Sequence, residues 1–193
     1  MARTKEFDPG TALHRALELF WEQGYEATSM ADLVEHLGIA KASIYGTFGG
    51  KRDLYLKALR RYLETTDPAI MAELSQPGPV LPAVRGLVER FVREASSPDS
   101  YLGCMVVNSA VERARTDEAV ARLVESSWAH LETTLTSALL RARAQGELAA
   151  DSDPRSLARF LLVFLQGVRV LERTPDSAAR LRDAARTAVS LLG

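Results

Sequence analysis

The sequence has 193 residues, 47% of them hydrophobic and 25% charged, with a formal net charge of −1. This is the composition of an ordinary globular protein, and the length is sufficient to bury a core without disulfides or metals. The single cysteine, Cys104, excludes an intrachain disulfide. The N-terminus MARTKEFDPG has no apolar signal region, and no apolar run approaches the roughly 20 residues of a membrane span. We therefore predict a cytoplasmic protein that makes no contact with a membrane.

The sequence predicts helices throughout, because Ala, Leu, Arg and Glu dominate it and no stretch keeps a period-two alternation. The first helix begins at Pro9, after the cap Asp8, and ends at Gly24. The second begins at Thr28 or Ser29 and ends before Gly38. A third is predicted over 41–48, and a fourth begins near residue 51.

A proline-rich stretch that begins at Thr66, TDPAIMAELSQPGPVLP, predicts a boundary between two regions. Five further helices are predicted beyond it, over 80–96, 103–114, 117–146, 154–173 and 175–192. Two of these starts are marked by a cap and a proline, Asp153-Pro154 and Thr174-Pro175. The predicted fold class is all-α.

The helix over 154–173 is apolar nearly all round, so it has to be buried on more than one side. The last helix carries a stripe of small and aliphatic residues that permits close helix packing: Leu181, Ala184, Ala185, Ala188 and Leu192. We interpret these two helices as a four-helix interface between two copies of the chain. The alternative is that both helices lie inside one monomer.

The segment GIAKASIYGTFGGKRD, residues 38–53, is rich in small residues and carries two cations, Lys51 and Arg52, just before its end. From Gly38 to Tyr62 there are six Lys or Arg residues and a single acid, Asp53. A phosphate-binding loop is excluded, because the glycine spacing is one residue short, Arg52 replaces the required hydroxyl, and a helix precedes the segment in place of a strand.

A helix over 30–37, a turn at Gly38-Ile39 and a helix that starts near Lys41 predict a helix-turn-helix. The apolar positions of these helices face a small core, which leaves the polar side of the second helix to face a ligand. Small side chains allow close approach to DNA, and hydroxyls and cations bind phosphates. The alternative is an ordinary helical hairpin with a solvated second helix.

The stretch ALELFWEQGYEATSMADLVEHLGIAKASIYGTFGGKRDLY closely resembles the DNA-binding region of the TetR-type transcriptional repressors. The Phe-x-x-x-Gly-Tyr entry, the Thr-Ser helix start, the Leu-Gly-Ile turn and the Tyr-x-x-Phe pair carry the resemblance. It implies a helix-turn-helix DNA-binding domain over 1–52 and a helical ligand-binding and dimerisation domain over 53–193. The implied partners are a double-stranded DNA operator, a second copy of the chain bound through the last two helices, and a small-molecule effector of unknown identity.

The resemblance also implies roles for individual residues. Lys41, Ala42 and Ser43 would approach base edges, with Lys41 as the candidate for reading guanine. Phosphates would be held by Thr28, Ser29, Tyr45, Thr47 and Lys51, three of which stand at helix N-termini. The candidate effector-binding residues are Phe91, Cys104, Met105, Asn108, Trp128, Phe164 and Gln166. An ordinary core position is the alternative for the apolar ones, whereas a buried amide at Gln166 needs a partner.

No enzyme signature is present: the sequence has no G-x-S-x-G elbow, no dinucleotide-binding fingerprint and no H-E-x-x-H. The three histidines join no cluster with metal-ligand spacing, so neither a metal nor a cofactor is expected. We predict a DNA-binding transcriptional regulator, a repressor released from a palindromic operator by its effector. An all-α enzyme or a helical adaptor is the alternative, and a variant of the regulator hypothesis uses Cys104 to sense oxidants or electrophiles.

Overall fold

The structure, a computed structural model, describes residues 7–97, 102–174 and 177–192, without the side chain of Asp67. These residues contain helices and no strand, which confirms the all-α class. The helices in this part of the chain are Pro9–Gln23 (α1), Met30–Leu37 (α2), Lys41–Phe48 (α3), Lys51–Leu74 (α4), Leu81–Ala95 (α5), Met105–Glu112 (α6), Glu118–Ala144 (α7), Pro154–Leu171 (α8) and Ser177–Ser190 (α9). No helix among them is long and apolar enough to cross a membrane.

Three helices begin where the sequence places a capping side chain. The Asp8 carboxylate accepts a hydrogen bond from the N–H of Thr11 at 2.7 Å, and Asp153 caps α8 in the same way. Ser29 and Asp32 form a reciprocal capping box before α2. Each cap pairs N–H groups that the helix itself leaves open, so these starts follow from local chemistry.

The end of the fourth helix differs from the prediction, which placed a boundary at the stretch that begins at Thr66. The fourth helix does not end near Thr66 but continues through Pro68 to Leu74. Beyond the proline, buried Leu74 and half-buried Ile70 pack into an apolar core, and this packing outweighs the loss of one backbone hydrogen bond at Pro68. The last helix is described from Ser177, and its predicted start at Pro175 lies outside the described residues.

The chain forms two compact units, one within Met1–Thr65 and Asn108–Val124 and the other within Thr66–Val107 and Glu125–Gly193. In the first unit, α2 packs against both α1 and α3. The core of this unit includes Ala16, Leu17, Phe20, Leu33, Leu37, Ile44 and Phe48. These are the apolar positions that recur at helical spacing, so the periodicity of the sequence accounts for this packing.

In the second unit, α5 packs against α8 and α9, and α8 packs against α9. The core here includes Leu87, Val88, Leu135, Leu139, Leu161, Leu165 and Leu181. Burying a leucine side chain contributes about 1.5–3 kcal/mol, so this cluster is the main source of stability in the unit.

The small-residue stripe of α9 faces this core and not a partner subunit. Leu181, Ala185, Ala188 and Leu192 are buried within the chain itself, whereas Ala184 is exposed. Packing inside the chain therefore accounts for four residues of the stripe, and the dimer interface through the last two helices stays a prediction. Their burial against the chain's own core explains why they are small or aliphatic.

Two side chains from α7 and the turn after it fix the connection between α4 and α5. The Arg141 guanidinium donates to the carbonyls of Leu74, at 2.8 Å, and Gln76, at 3.2 Å. The Glu147 carboxylate accepts from the N–H groups of Val80 and Leu81 at 2.8 to 3.0 Å. Open carbonyls at the end of α4 and open N–H groups at the start of α5 are thus satisfied by charged groups.

We expect Glu147→Ala to lower the free energy of unfolding by about 1–3 kcal/mol, because it leaves two part-buried N–H groups without their charged acceptor. Urea denaturation followed by circular dichroism measures the change. Glu118→Ala is the matched control, because the Glu118 side chain is 85% exposed and forms an i,i+4 pair with Arg122. An equal loss of stability in both variants would contradict the role of Glu147.

Candidate nucleic-acid interface

A left-handed glycine makes the turn between α2 and α3. Gly38 has φ +69° and ψ +25°, and its N–H donates to the carbonyl of Val34. The Arg15 guanidinium donates to the carbonyl of Leu37 at 3.2 Å and so closes the end of α2. The chain therefore leaves α2 through a glycine cap and reaches Lys41, the first residue of α3, three residues later.

Helix α3 has one buried face and one exposed face. Ile44 and Phe48 are buried in the core of the first unit. Lys41, Ala42 and Tyr45 are exposed, and half of the Tyr45 side chain is accessible, an unusual exposure for an aromatic residue of this size. Lys41, Ala42 and Tyr45 therefore face solvent, as predicted, and together they offer a cation, a small side chain and a phenol on one side of α3.

Ser43 and Thr47 of α3 are half-buried. Ala40, the N-cap residue of this helix, has no side-chain acceptor for the first N–H groups of α3. A helix N-terminus without such an acceptor attracts anions through its N–H groups and its dipole. The start of α3 can therefore receive a phosphate oxygen next to Lys41.

The turn from α3 to α4 requires glycine. Gly49 has φ +91°, and a Cβ atom built on it would lie 2.3 Å from Oδ2 of Asp53. The Lys57 ammonium donates to the carbonyl of Phe48 at 2.7 Å and satisfies the end of α3. These contacts hold α3 against α4, so the exposed face of α3 keeps a fixed direction.

Thr28 does not belong to the exposed surface. It is completely buried, and its hydroxyl donates to the carbonyl of Gly24 at 2.6 Å. The predicted phosphate contact by the Thr28 side chain is therefore wrong. The side chain is inaccessible, and its hydroxyl proton is already donated inside the turn. Ser29 is exposed, but its hydroxyl already accepts from the N–H of Asp32 in the capping box.

Lys51, at the start of α4, lies above an aromatic ring. Its Nζ atom is 4.2 Å from the centroid of Tyr25, and the Arg113 guanidinium lies 4.4 Å from the same centroid. Cations are attracted to the electron-rich face of a tyrosine ring at these distances. Lys51 is therefore held in a defined position but keeps its charge for an incoming anion.

The segment 108–124 anchors the helix-turn-helix from elsewhere in the sequence. The Glu112 carboxylate accepts from the N–H groups of Tyr25, at 2.9 Å, and Glu26, at 2.8 Å. Arg113 forms an ion pair with Glu26 at 2.6 Å. These contacts fix the turn that precedes α2. No local pattern predicts these contacts, because the partners are 86 or 87 residues apart.

A second anchor joins α4 to the start of α7. The Arg52 guanidinium donates to both carboxylate oxygens of Asp117 at 2.6 and 2.9 Å, and only 3% of the Asp117 side chain is accessible. The hydrogen bonds from Arg52 lower the pKa of Asp117 to about 2. Nearby, the Tyr55 hydroxyl is hydrogen-bonded to Ser109 at 2.7 Å, and burial raises the pKa of Tyr55 to about 12.

We expect Asp117→Asn to lower the free energy of unfolding at pH 7 by about 1–3 kcal/mol, because hydrogen bonds to charged groups contribute that much. The folded-state pKa is below the ordinary value of 3.8, so the stabilisation is present above pH 4 and is lost as the pH falls from 4 toward 2. Denaturation at several pH values should therefore show the wild type and the variant converging below pH 4. Asp183→Asn, at an exposed i,i+3 pair with Arg186, is the control and should change little. A constant difference down to pH 2 would contradict the assignment.

The structure brings only some of the predicted effector residues together. Trp128 donates from Nε1 to Oε1 of Gln166 at 3.2 Å, which supplies the partner that the amide requires. The Arg169 guanidinium lies 4.3 Å from the ring centroid of buried Phe91 and interacts electrostatically with Cys104.

The remaining candidates occupy separate positions. Met105 is buried, and Phe164 is half-buried and stacks on Phe160 at 6.3 Å. Asn108 falls in the first unit, unlike the other six candidates. No Lys or Arg stands near Cys104 in the sequence, yet Arg169 interacts with it electrostatically in the fold. Among the described residues no cluster of His, Cys, Asp and Glu could hold a metal ion.

A helix-turn-helix with an exposed, cationic second helix defines a DNA-binding protein of the helix-turn-helix class. Comparison with known proteins identifies the family. Residues 12–58 match the profile described as bacterial regulatory proteins, tetR family, and residues 80–188 match the tetracyclin repressor-like C-terminal domain. The chain belongs to the tetR family of regulatory proteins.

Similar proteins support this assignment over the whole chain. The uncharacterized HTH-type transcriptional regulator YezE of Bacillus subtilis (strain 168) is 40% identical over 193 residues, which is 100% of both chains. The HTH-type transcriptional repressor ComR of Escherichia coli (strain K12) is 32% identical over 98% of this chain and 90% of its own. A cysteine mutant of the TetR family transcriptional regulator CifR, complexed with 26-bp double-strand operator DNA, superposes with a TM-score of 0.85 at 30% identity and covers 98% of each chain.

These relatives are transcriptional regulators, so the enzyme and adaptor alternatives are not favoured. The chain is a DNA-binding transcriptional regulator, and its DNA partner is double-stranded.

Proposed function

We propose that the protein is a homodimeric repressor that binds a palindromic operator and is released from it by a small-molecule effector. DNA binding through α3 is supported by the two faces of this helix. One face is apolar and buried, and the other is exposed and contains Lys41, Ala42 and Tyr45. A helix with this division can enter a major groove while its other side stays in the core. The name of ComR, a transcriptional repressor, supports repression.

In this proposal Lys41 reads a base edge, and its ammonium suits the acceptor pair of guanine. Ala42 and Ser43 allow the helix backbone to approach the bases closely. Tyr45, Thr47, Ser29 and Lys51 bind phosphates on either side of the groove.

The proposed dimer interface consists of apolar side chains that are exposed on and next to the last two helices. Val163 is 71% exposed, Val170 50%, Phe160 39% and Leu191, just after α9, 51%. Such exposure is unfavourable in water, and a second copy of the chain would cover it by symmetry. Two α3 helices about 34 Å apart would then match successive major grooves of one operator.

The proposed effector site involves the second unit, where Trp128 and Gln166 form a polar contact within an apolar region. Helix α6 offers a route to the DNA-binding helices, because it begins at Met105 and ends at Glu112, which holds the turn before α2. An effector that shifts α6 would thereby disturb the anchor of the helix-turn-helix.

The experiment that tests the phosphate contacts is a salt titration of DNA binding with Lys51→Ala. We expect weaker binding to all DNA sequences and a salt slope lower by about one unit, because one phosphate contact is lost. Arg122→Ala, at an exposed residue of α7, is the matched control and should leave the slope unchanged. An unchanged slope in Lys51→Ala, with folding intact, would remove Lys51 from the interface.

A further inference from the structure

A cavity of about 580 Å³ lies between α5 and α9 in the second unit. Four residues of α5 and its C-cap, and four residues of α9, line it with the same i, i+3, i+4, i+7 spacing, so two stripes face each other. The α5 stripe is Glu89, Val92, Arg93 and Ser96, and the α9 stripe is Arg182, Ala185, Arg186 and Val189. None of the predicted effector residues lines this cavity, which we name the α5–α9 groove. Its volume is in the range of small-molecule sites in proteins.

The floor of the α5–α9 groove is apolar. Val92 and Ala185 are buried, with 5% and 8% of their surface accessible, and Val189 is half-buried beside them. The small side chain of Ala185 leaves space between the two helices that a leucine at this position would fill. An apolar group placed there would displace water from aliphatic carbon, which is favourable.

The rim of the groove is cationic. Three arginines, Arg93, Arg182 and Arg186, line it together with one acid, Glu89. Arg186 pairs with Asp183, but neither Arg93 nor Arg182 has a carboxylate within 4 Å among the described residues. This concentration of positive charge occurs in a chain whose net charge is −1. Two guanidinium groups are thus available at the edge of an apolar floor.

We propose that the α5–α9 groove binds a small amphipathic anion, a carboxylate or phosphate carried on an apolar chain. A guanidinium group stays charged at all physiological pH values and donates two parallel hydrogen bonds to either anion. The apolar chain would cover the floor, and the anion would pair with Arg93 and Arg182. Two other ligand classes fit less well. A neutral hydrocarbon would desolvate the arginines without giving them an anionic partner, and an inorganic anion would leave the apolar floor exposed to water.

Isothermal titration calorimetry without DNA tests the ligand class. The probes are decanoate, decyl phosphate and decanol, each below its critical micelle concentration, titrated into the full-length wild type. We expect each chain to bind one anion and to bind decanol at least about tenfold more weakly. The reason is that hydrogen bonds to a charged group raise the affinity about tenfold or more. The anion that binds with the higher affinity shows whether the groove prefers a carboxylate or a phosphate. Failure of both anions to bind, or equal binding of decanol, would overturn the proposal.

Variants distinguish the groove from any other site that could accept a fatty anion. The double variant Arg93→Gln/Arg182→Gln should bind the anion at least about tenfold more weakly, since both charged donors are lost. Arg180→Gln removes an exposed arginine of α9 that does not line the groove, and it should bind as the wild type does. Circular dichroism checks that all three proteins are folded. Full affinity in the double variant would overturn the proposal, and this result does not depend on whether the protein represses through another effector.

Discussion

Val163→Glu should convert the protein into a folded monomer that binds its operator at least about 100-fold more weakly than the wild type. Val163 is 71% exposed in the single chain, so glutamate there is solvated and leaves the monomer stable. In the proposed dimer the same carboxylate would be buried without a partner, at a cost of several kcal/mol. A factor of 100 corresponds to about 2.7 kcal/mol, which such a penalty readily exceeds.

The control for this prediction is Val111→Glu, the same substitution at a valine of α6 that is 80% exposed and outside the proposed interface. Sedimentation equilibrium gives the oligomeric state, and fluorescence anisotropy gives the affinity for DNA. We expect Val111→Glu to remain dimeric. A wild type that is monomeric at micromolar concentration, or a Val163→Glu variant that is still dimeric, would contradict the interface on α8 and α9.

Ala42→Glu should abolish measurable binding to any duplex DNA while it leaves the fold intact. Ala42 is exposed on α3 beside Lys41, so the variant chain can accommodate the longer side chain in solution. In the complex a carboxylate would approach the DNA at close range, where it repels phosphates and cancels the charge of Lys41. Both effects are independent of the DNA sequence, so specific and non-specific DNA binding should be lost together.

Ala149→Glu makes the same change of charge at an exposed position of the second unit and is the matched control. Its affinity for DNA should stay within about a factor of two of the wild type, because Ala149 belongs to none of the proposed DNA contacts. Equal binding by the Ala42→Glu and Ala149→Glu variants, measured by anisotropy at low salt, would exclude α3 as the recognition helix.

The helix-turn-helix could be predicted from the sequence because its determinants are local. Asp8 and the Ser29–Asp32 pair start helices through hydrogen bonds to residues three positions away, and Gly38 stops one through a left-handed backbone. The apolar residues Ile44 and Phe48 of α3 lie in the core, as their helical spacing predicts. Thr28 was misassigned because its hydroxyl pairs within the turn, a contact that resemblance to a family does not specify.

Contacts between distant parts of the chain could not be predicted in this way. Arg52 and Asp117 are 65 residues apart, and no periodicity or spacing connects them. Helix α4 continues through Pro68 because residues beyond it pack into the core, and the local sequence pattern does not indicate this packing. The division of the chain at residue 52 into a DNA-binding and a ligand-binding domain stays a prediction, as do the effector residues.

In the proposed complex, the two α3 helices of one dimer occupy successive major grooves of an operator. Methylation protection with dimethyl sulfate tests it most directly, because this reagent modifies guanine N7 in the major groove. The wild type is incubated with the DNA upstream of its own gene, and the stoichiometry is measured on the same fragment. We predict two groups of protected guanines about 34 Å apart, one helical turn, with one dimer bound to each site. No protection at specific guanines, or a single protected group bound by one chain, would contradict the account.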